Sequence, residues 1–542
     1  MSLDDTLAKI KSVFGKVSAS PTHPPRKAKS RRGFDVADLY EGHIALQKLA
    51  GAQEDGSAAA RLDDKLRQAY FWVTNHAIIS PFYDIEFNDE PPQSFTLGDR
   101  KSRLTLPTDQ SYSSFVLLPL LTLVLRRRCL LVGGPGRGKT ASAILMGVLA
   151  GYGLRDIKRA IQHGQPQMTI ADLLGNPLPS SLVNAQTMDD VKISWRKWLS
   201  MRVKIIDEYN RIPTRTQSAL LTVLADDYAE LYDQIYECPP AAWYLTANDD
   251  AGGGTYQVIE ALRDRIDVVV KALHFNTRFL DELLVRIEEG IRPEEVVPAT
   301  LVFNEAEIDR AYREILAVHI PAPLRRRIEF FTSHFEFCDA AADQMEYKTK
   351  DTAKLSGIEW ETVSGQETGK DKVRDLGSQT RNGLSVRAMM TVLAYAKALS
   401  WFRGFEEVGF DDVRQIMPFV LHDKLAQDTD SPFFEQPGHA VFRTDRIGWI
   451  RKLFDLSCEE YDRLGLDAED PVGVLLSQIG RGLDGVDEQE VQKRLVSIEQ
   501  QIGEIGKGRK IYGHLFDDVL TLKYMHQRYT NYLKWLSWKG RA

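Results

Sequence analysis

The octapeptide GGPGRGKT, Gly133 to Thr140, constrains this chain more than any other segment. It follows the apolar, β-rich run RCLLV and precedes TASAILMGVLA, which has helical character. A strand, then G-x-x-x-x-G-K-[ST], then a helix is the context of a phosphate-binding loop. Gly133, Gly136 and Gly138 let the backbone wrap until successive N–H groups face phosphate oxygens, and the helix N-terminus adds a positive dipole end. Gly134, Pro135, Arg137 and Ala141 complete the predicted cradle. Lys139 is expected to reach the β- and γ-phosphates and the Thr140 hydroxyl to ligate Mg2+, so ATP and Mg2+ are the expected cofactors.

A second motif supports the first. VKIIDE, residues 203–208, reads as a buried strand ending in two carboxylates. Adjacent acids repel each other without a cation between them. Asp207 is therefore the expected Mg2+ holder and Glu208 the group that orients and deprotonates an attacking water. AAWYLTAN, residues 241–248, reads as a third strand, whose terminal Asn248 can position the same water. With DVVVKAL, these runs alternate with amphipathic helices between about 110 and 275. That pattern predicts an α/β fold, a parallel sheet with helices on both faces. The reaction expected is Mg-dependent hydrolysis of ATP to ADP and phosphate.

At 542 residues the chain exceeds one ordinary core. Residues 1–33 read as an amphipathic helix (Leu3, Leu7, Ile10, Phe14) and a flexible arm carrying Arg26, Lys27, Lys29, Arg31 and Arg32. Residues 34–109 read as a short helical region followed by loops, and 110–300 as the α/β core. A helical lid follows over 301–426, with a Gly-rich insertion at about 340–382 that has hairpin character at KLSGIEWETVSG. In the helical extension 427–542, Val491, Leu495, Ile498, Ile502 and Ile505 form a heptad seam. Leu515, Val519, Leu522, Tyr529 and Leu536 form a second stripe, which predicts an antiparallel helix pair. Trp535 and Trp538 could anchor a partner there.

The net charge of −7 shows no global bias toward nucleic acid or membrane. Cys129, Cys238, Cys338 and Cys458 are scattered, which argues against disulfides or a zinc site and fits a reducing cytoplasm. The first residues are too charged for a signal peptide. The apolar run from Phe115 to Val132, broken by Arg126, Arg127 and Arg128, predicts a buried helix running into a strand rather than a membrane span.

Beyond Glu208 the chain continues DEYNRIPTRTQSALLTVLADD, later GGTYQVIEALRDRID, and then GLSVRAMMTVLAYAKAL at 383–399. This resembles the MoxR family of AAA+ ATPases, of the helix-2-insert clade. Its members usually show DE-x-NR-x-PP-x-TQSALLEAM, then GTYPLPEAQLDRF, then G-x-SPRA. TIADLLGNPL, 169–178, is similar to the segment before the helix-2 insert, and WFRGFEEVGFDDVRQIMPFVLHDKL to the lid's closing helices. The resemblance covers about 110–426 and is most specific over 203–223. Asn210, Arg211 and Gln217 match strongly patterned positions; Thr214 replaces the second Pro, and Val386 the Pro of SPRA.

The resemblance implies an AAA+ core with helical lid, in which Asn248 is sensor 1 and Arg387 is sensor 2. Arg265 would be an arginine finger entering the neighbouring subunit's site, with Arg263 a rival for that job. A finger in trans implies a homo-oligomeric ring, most simply a hexamer. The helix-2 insert (about 176–200) and a hairpin at about 228–240 would face the pore or upper surface. Leu182, Val183, Trp195, Trp198, Tyr232 and Tyr236 there either grip a client or pack. The family further implies chaperone-like remodelling of a protein client with a von Willebrand A domain partner. A nucleic-acid-stimulated motor or defence ATPase and a magnesium-chelatase-like subunit stand as alternatives.

Overall fold

The computed structural model describes residues 61–337 and 376–539, apart from breaks at 80, 99–102, 185–189, 249–259, 273–274, 291, 468–469, 484 and 508–513. The predicted N-terminal helix and basic arm, the hairpin within the 340–382 insertion, and GTYQVI lie outside the described residues.

Helix α1 (Leu62–Trp72) opens the described chain and sets Tyr70 edge-on to the rings of Tyr112 and Phe402, at 5.4 and 5.8 Å. The loops expected up to residue 110 are in part strands. Ile85–Glu86 pairs with Ser111–Tyr112, and Gln93–Thr96 with Arg103–Leu106, both antiparallel. Strands of two and four residues are too short for alternation to register in the sequence.

The run from Phe115 behaves as predicted. Helix α2 (Ser114–Leu125) is buried along nearly its whole length and ends at Arg126, whose φ of 53° is left-handed. Among the described residues no helix is long and apolar enough to cross a membrane.

The central sheet has five parallel strands, β1 (Arg128–Val132), β2 (Gln162–His163), β3 (Val203–Asp207), β4 (Ala242–Ala247) and β5 (Val268–Lys271). Their spatial order is β5-β1-β4-β3-β2. Helices α3 (Lys139–Leu149), α4 (Thr214–Asp226) and α5 (Glu260–Arg265) connect or flank them. Strands covered on both faces read as unbroken apolar runs. Lys204 in β3 departs from this: it is buried, donates to the carbonyls of Leu199 and Met201 at 3.0 and 2.6 Å, and is pushed by burial down to about 8. Val132 lies opposite Ala247, and Leu245 opposite both Leu130 and Ile206. This register brings the carboxyl ends of β1, β3 and β4 to one edge, where sheets of this kind bind ligands.

After β5 comes the short helix α6 (Leu280–Glu288), then α7 (Glu305–Ala317), α8 (Ala322–Ser333), α9 (Val386–Phe402) and α10 (Phe410–Leu421). Three side chains fasten this helical layer to the sheet. Buried Asp267, just before β5, accepts the Arg128 N–H at 2.9 Å and the Thr391 hydroxyl of α9 at 2.7 Å. The Tyr395 and Thr122 hydroxyls meet at 2.7 Å. Lys424 donates to the carbonyls of Asp264 and Ile266 at 2.8 and 2.6 Å.

Helix α11 (Arg446–Arg463) buries Trp449, Leu453 and Phe454 in the same core as these helices. Helices α12 (Pro471–Gly480), α13 (Glu488–Gly506) and α14 (His514–Lys539) instead build a second apolar cluster of their own. The predicted seam is present: Val491 and Ile498 are buried against Leu522, Met525 and Tyr529. Arg494 donates to the Tyr529 hydroxyl at 3.1 Å and Tyr532 to the Val486 carbonyl at 3.2 Å, so α13 and α14 run antiparallel.

Within this unit burial pushes the Asp518 carboxyl up to about 7, with repulsion from Asp470 and Asp517 adding to the shift. The unfolded carboxyl titrates near ~3.9. Between those values the folded chain holds the proton and the unfolded chain does not, so stability falls as pH rises from about 4 to about 7. Urea unfolding followed by circular dichroism at pH 5 and pH 8 should show wild type losing on the order of 3 kcal/mol. Asp518→Asn should be nearly flat, and equal pH slopes in the two proteins would contradict this account.

Candidate nucleotide site

Gly136 and Gly138 have φ of 73° and 77°, a left-handed conformation that glycine adopts without the Cβ penalty, and they deliver Lys139 to the first turn of α3. Lys139 is buried, and its ammonium donates to the carbonyls of Gly133 and Gly134 at 2.6 and 2.8 Å and to Asn248 Oδ1 at 2.9 Å. The other end of the Asn248 amide donates to Glu208 Oε1 at 2.8 Å. Asn248 therefore spans the loop lysine and the second strand-end acid.

Asp207 is held from three elements. Its Oδ1 accepts the hydroxyls of Thr140 and Thr246, each at 2.7 Å, and its Oδ2 lies 3.3 Å from His163 Nδ1. The Thr246 oxygen also accepts the Glu208 N–H at 2.9 Å. Glu208 has φ 53°, so the chain turns sharply after β3 and aims the two acids differently. Its Oε2 lies 3.2 Å from Arg211 Nε.

A hydroxyl and a carboxylate bonded to each other at the foot of a glycine-rich loop form a hard-oxygen donor pair suited to Mg2+. The left-handed glycines, a lysine and a helix N-terminus suit a polyphosphate. The residues present thus fit the cofactors expected from the sequence.

Lys139, Thr140, Asp207, Glu208 and Asn248 meet in one hydrogen-bonded group. The three arginines gather instead at the seam between α5 and the helical layer. Arg265 donates to the Ala261 carbonyl at 3.0 Å. Arg387 pairs with Asp264, which also accepts the Ser385 hydroxyl at 2.9 Å. Arg263 lies 3.1 Å from Asp423. Gln217 is buried and donates to the Ile212 carbonyl at 2.9 Å, bracing the turn after Glu208.

The sequence reading missed Thr246, His163 and Gly164. Gly164 donates its N–H to the Asp207 carbonyl at 2.7 Å, and a Cβ there would come within 2.2 Å of the Glu208 carbonyl oxygen. The threonine of LTAN, two residues before Asn248 on the same strand, was the one available signal; nothing local marks the other two.

The predicted hairpin is present, Tyr228–Leu231 pairing with Gln234–Glu237. In the region of the expected helix-2 insert, Gly175–Pro177 pairs with Ile193–Trp195 around a short helix, Pro179–Asn184. They touch through the rings of Trp195 and Tyr236 at 5.4 Å and a bond from Gln234 to the Val191 carbonyl at 2.5 Å. Val183 and Tyr232 are exposed, whereas Trp198 is a core residue that donates to the Leu173 carbonyl at 2.7 Å and stands edge-on to Trp243. The Leu182 side chain lies outside the described residues.

Residues 377–443 match the AAA lid domain family. Over 228 residues the chain is 25% identical to Chaperone MoxR1 of Mycobacterium tuberculosis, a match covering 42% of this chain and 51% of that protein. By these matches the chain is similar to MoxR-type AAA+ proteins. Its fold is the α/β AAA+ core with a helical lid. It spans about half the length of the curated MoxR relative it matches. A crystal structure of a candidate ATPase from Cytophaga hutchinsonii aligns at 18% identity with a TM-score of 0.40, over 62% of this chain and 89% of that one.

The geometry makes Thr246 the tie between both acids of this site. Thr246→Val keeps the shape and removes the hydroxyl. It is expected to lower ATP turnover by about 100-fold while nucleotide affinity, read with a fluorescent analogue, changes little. Thr246→Ser should restore most of the turnover, and unchanged turnover in the valine variant would sink the assignment.

Proposed function

We propose that this chain is a ring-forming, Mg-dependent ATPase that couples hydrolysis to remodelling or activation of a protein client. The observation that carries the reading is the Asn248 amide, which joins Lys139 of the phosphate loop to Glu208 at 2.9 and 2.8 Å. An amide so held is fixed between a cation suited to the γ-phosphate and a carboxylate suited to activating water.

In this reading Gly133 to Ala141 bind the phosphates, with Lys139 supplying the charge. Thr140 and Asp207 would hold Mg2+, whose role when bound is to offset negative charge on the phosphoryl oxygens. Glu208 takes the proton of the attacking water, Asn248 orients that water, and Thr246 keeps both acids in place. Arg265 acts as a finger in a neighbouring subunit's site, with Arg263 its alternative, and Arg387 reports the γ-phosphate to the lid. We assign the core to about 110–300 and the lid to about 301–426.

A finger acting in trans makes each site incomplete in a single copy, which favours a closed ring, most simply a hexamer. The chaperone reading follows from the MoxR relative and the family resemblance, and with it a von Willebrand A domain partner and a cytoplasmic setting. The exposed Val183, on the short helix Pro179–Asn184, and Tyr232, at the turn of the hairpin after residue 228, are suited to touch a client.

Glu208→Gln should bind ATP with near wild-type affinity yet hydrolyse it at least about 100-fold more slowly, keeping client attached in a pull-down. Normal hydrolysis would remove Glu208 from its role. Arg265→Ala should also lose hydrolysis while binding nucleotide. Mixing the two inactive variants should recover activity, since some interfaces then pair an intact finger with an intact base. A mixture as inactive as its components counts against action in trans.

A further inference from the structure

Asp207 is held from α3, β4 and β2, and the β2 contact has no role in the proposed hydrolysis. Strand β2, at the edge of the sheet, is only two residues long, Gln162–His163. Its register sets Gln162 opposite Ile206 and His163 opposite Asp207. Directly paired residues of neighbouring strands project to the same side of a sheet, so the imidazole and the carboxylate stand side by side. The next residue, Gly164, donates its N–H to the Asp207 carbonyl at 2.7 Å, and its missing Cβ lets the two chains approach. The end of β3 is thus gripped twice by this edge, through the backbone at Gly164 and through the side chain at His163.

The side-chain contact decides what the carboxylate has left to offer. Oδ1 accepts the hydroxyls of Thr140 and Thr246, each at 2.7 Å, which occupies both of its lone pairs. Oδ2 lies 3.3 Å from His163 Nδ1. A carboxylate only accepts, so Nδ1 is the donor and one lone pair of Oδ2 stays open. The bond is long and the His163 side chain is 58% exposed, so the contact does little to hold the fold together. Its effect is directional: without the ring, Oδ2 has two open lone pairs and nothing on its side to fix the plane of the carboxylate. Mg2+, which demands near-ideal octahedral geometry, is a ligand sensitive to that difference.

We propose that His163 is a positioning residue for the divalent cation, acting through Asp207 by holding Oδ2 so that the carboxylate presents one orientation to the metal. The imidazole is not itself a ligand. The proposal rests on the assignment of Thr140 and Asp207 to Mg2+, and it can fail while that assignment stands. Outer partners of metal ligands typically change metal affinity by ~10- to 100-fold, and a long, exposed bond belongs at the lower end of that range.

The test uses the full-length chain and a fluorescent ADP analogue, which is not turned over, titrated with MgCl2. His163→Phe keeps a ring without a donor, and His163→Asn places an amide nitrogen near the Nδ1 position. The phenylalanine variant should raise the Mg2+ concentration giving half-maximal effect on analogue binding by about tenfold, and the asparagine variant should recover most of it. All three proteins should bind the analogue equally in EDTA, because the phosphate loop is untouched, and excess Mg2+ should return ATP turnover by His163→Phe toward wild type. His163→Ala repeats the titration should the phenylalanine variant fail to fold. Equal Mg2+ midpoints in wild type and His163→Phe overturn the proposal, as does a folded variant that binds poorly in EDTA, since the effect then bypasses the metal. A deficit far larger for Co2+ than for Mg2+ would make the imidazole a direct ligand, because nitrogen favours the later metal, and this also overturns it. Asp207→Asn separates the two levels. If it shifts the Mg2+ midpoint and His163→Phe does not, only the role of His163 fails; if neither shifts it, the metal assignment of Asp207 fails and this proposal with it.

Discussion

One oxygen of Asp207 accepts two threonine hydroxyls, from the first turn of α3 and from β4. Those bonds fix the end of β3 against the phosphate loop on one side and the next strand on the other. Glu208 follows because its N–H is taken by the same Thr246 oxygen, and its side chain is then met by Asn248, one residue beyond β4. The chemistry-bearing groups are thus set by strand register: slip β4 by one residue against β3, and Thr246 points to the opposite face of the sheet. A carboxylate with this many donors is costly to assemble and loses several partners if any one strand shifts. This is why such a site sits on a rigid, buried parallel sheet rather than on loops.

The parts of the site legible in the sequence are those whose chemistry is local. Gly136, Gly138, Lys139 and Thr140 act within one turn of chain, so spacing reveals them. Asp207 and Glu208 are legible because a buried apolar run ending in two acids has little structural reason to exist. Thr246 and Gly164 act across strands, through an oxygen and through a missing Cβ, and neither leaves a spacing pattern. The short strands at 85–112 escaped because two to four residues cannot establish a period. Trp198 shows what spacing leaves open: the sequence allows client contact or packing, and the fold decides for packing, with its ring against Trp243 and its N–H satisfied by Leu173. In the tail, by contrast, heptad spacing alone identified the faces of α13 and α14 that pack together.

The seam between core and lid has a strong side and a weak side. Asp267 is buried and satisfied by Thr391 and the Arg128 backbone; breaking so buried a carboxylate from its partners costs on the order of 3–5 kcal/mol. Arg387 and Asp264 also join lid to core, but both are substantially exposed, and an exposed pair contributes about 1 kcal/mol or less. The lid is therefore held firmly near β5 and loosely at Arg387. That asymmetry is what the proposed sensor role of Arg387 requires, since the side chain can exchange Asp264 for a phosphate without the seam opening. Arg265 is the residue after Asp264, and Lys424 of the lid bonds the backbone on both sides of it. A change of partner at Arg387 would then be felt one residue from the proposed finger, which gives a short mechanical link between a subunit's own nucleotide and the site it completes next door.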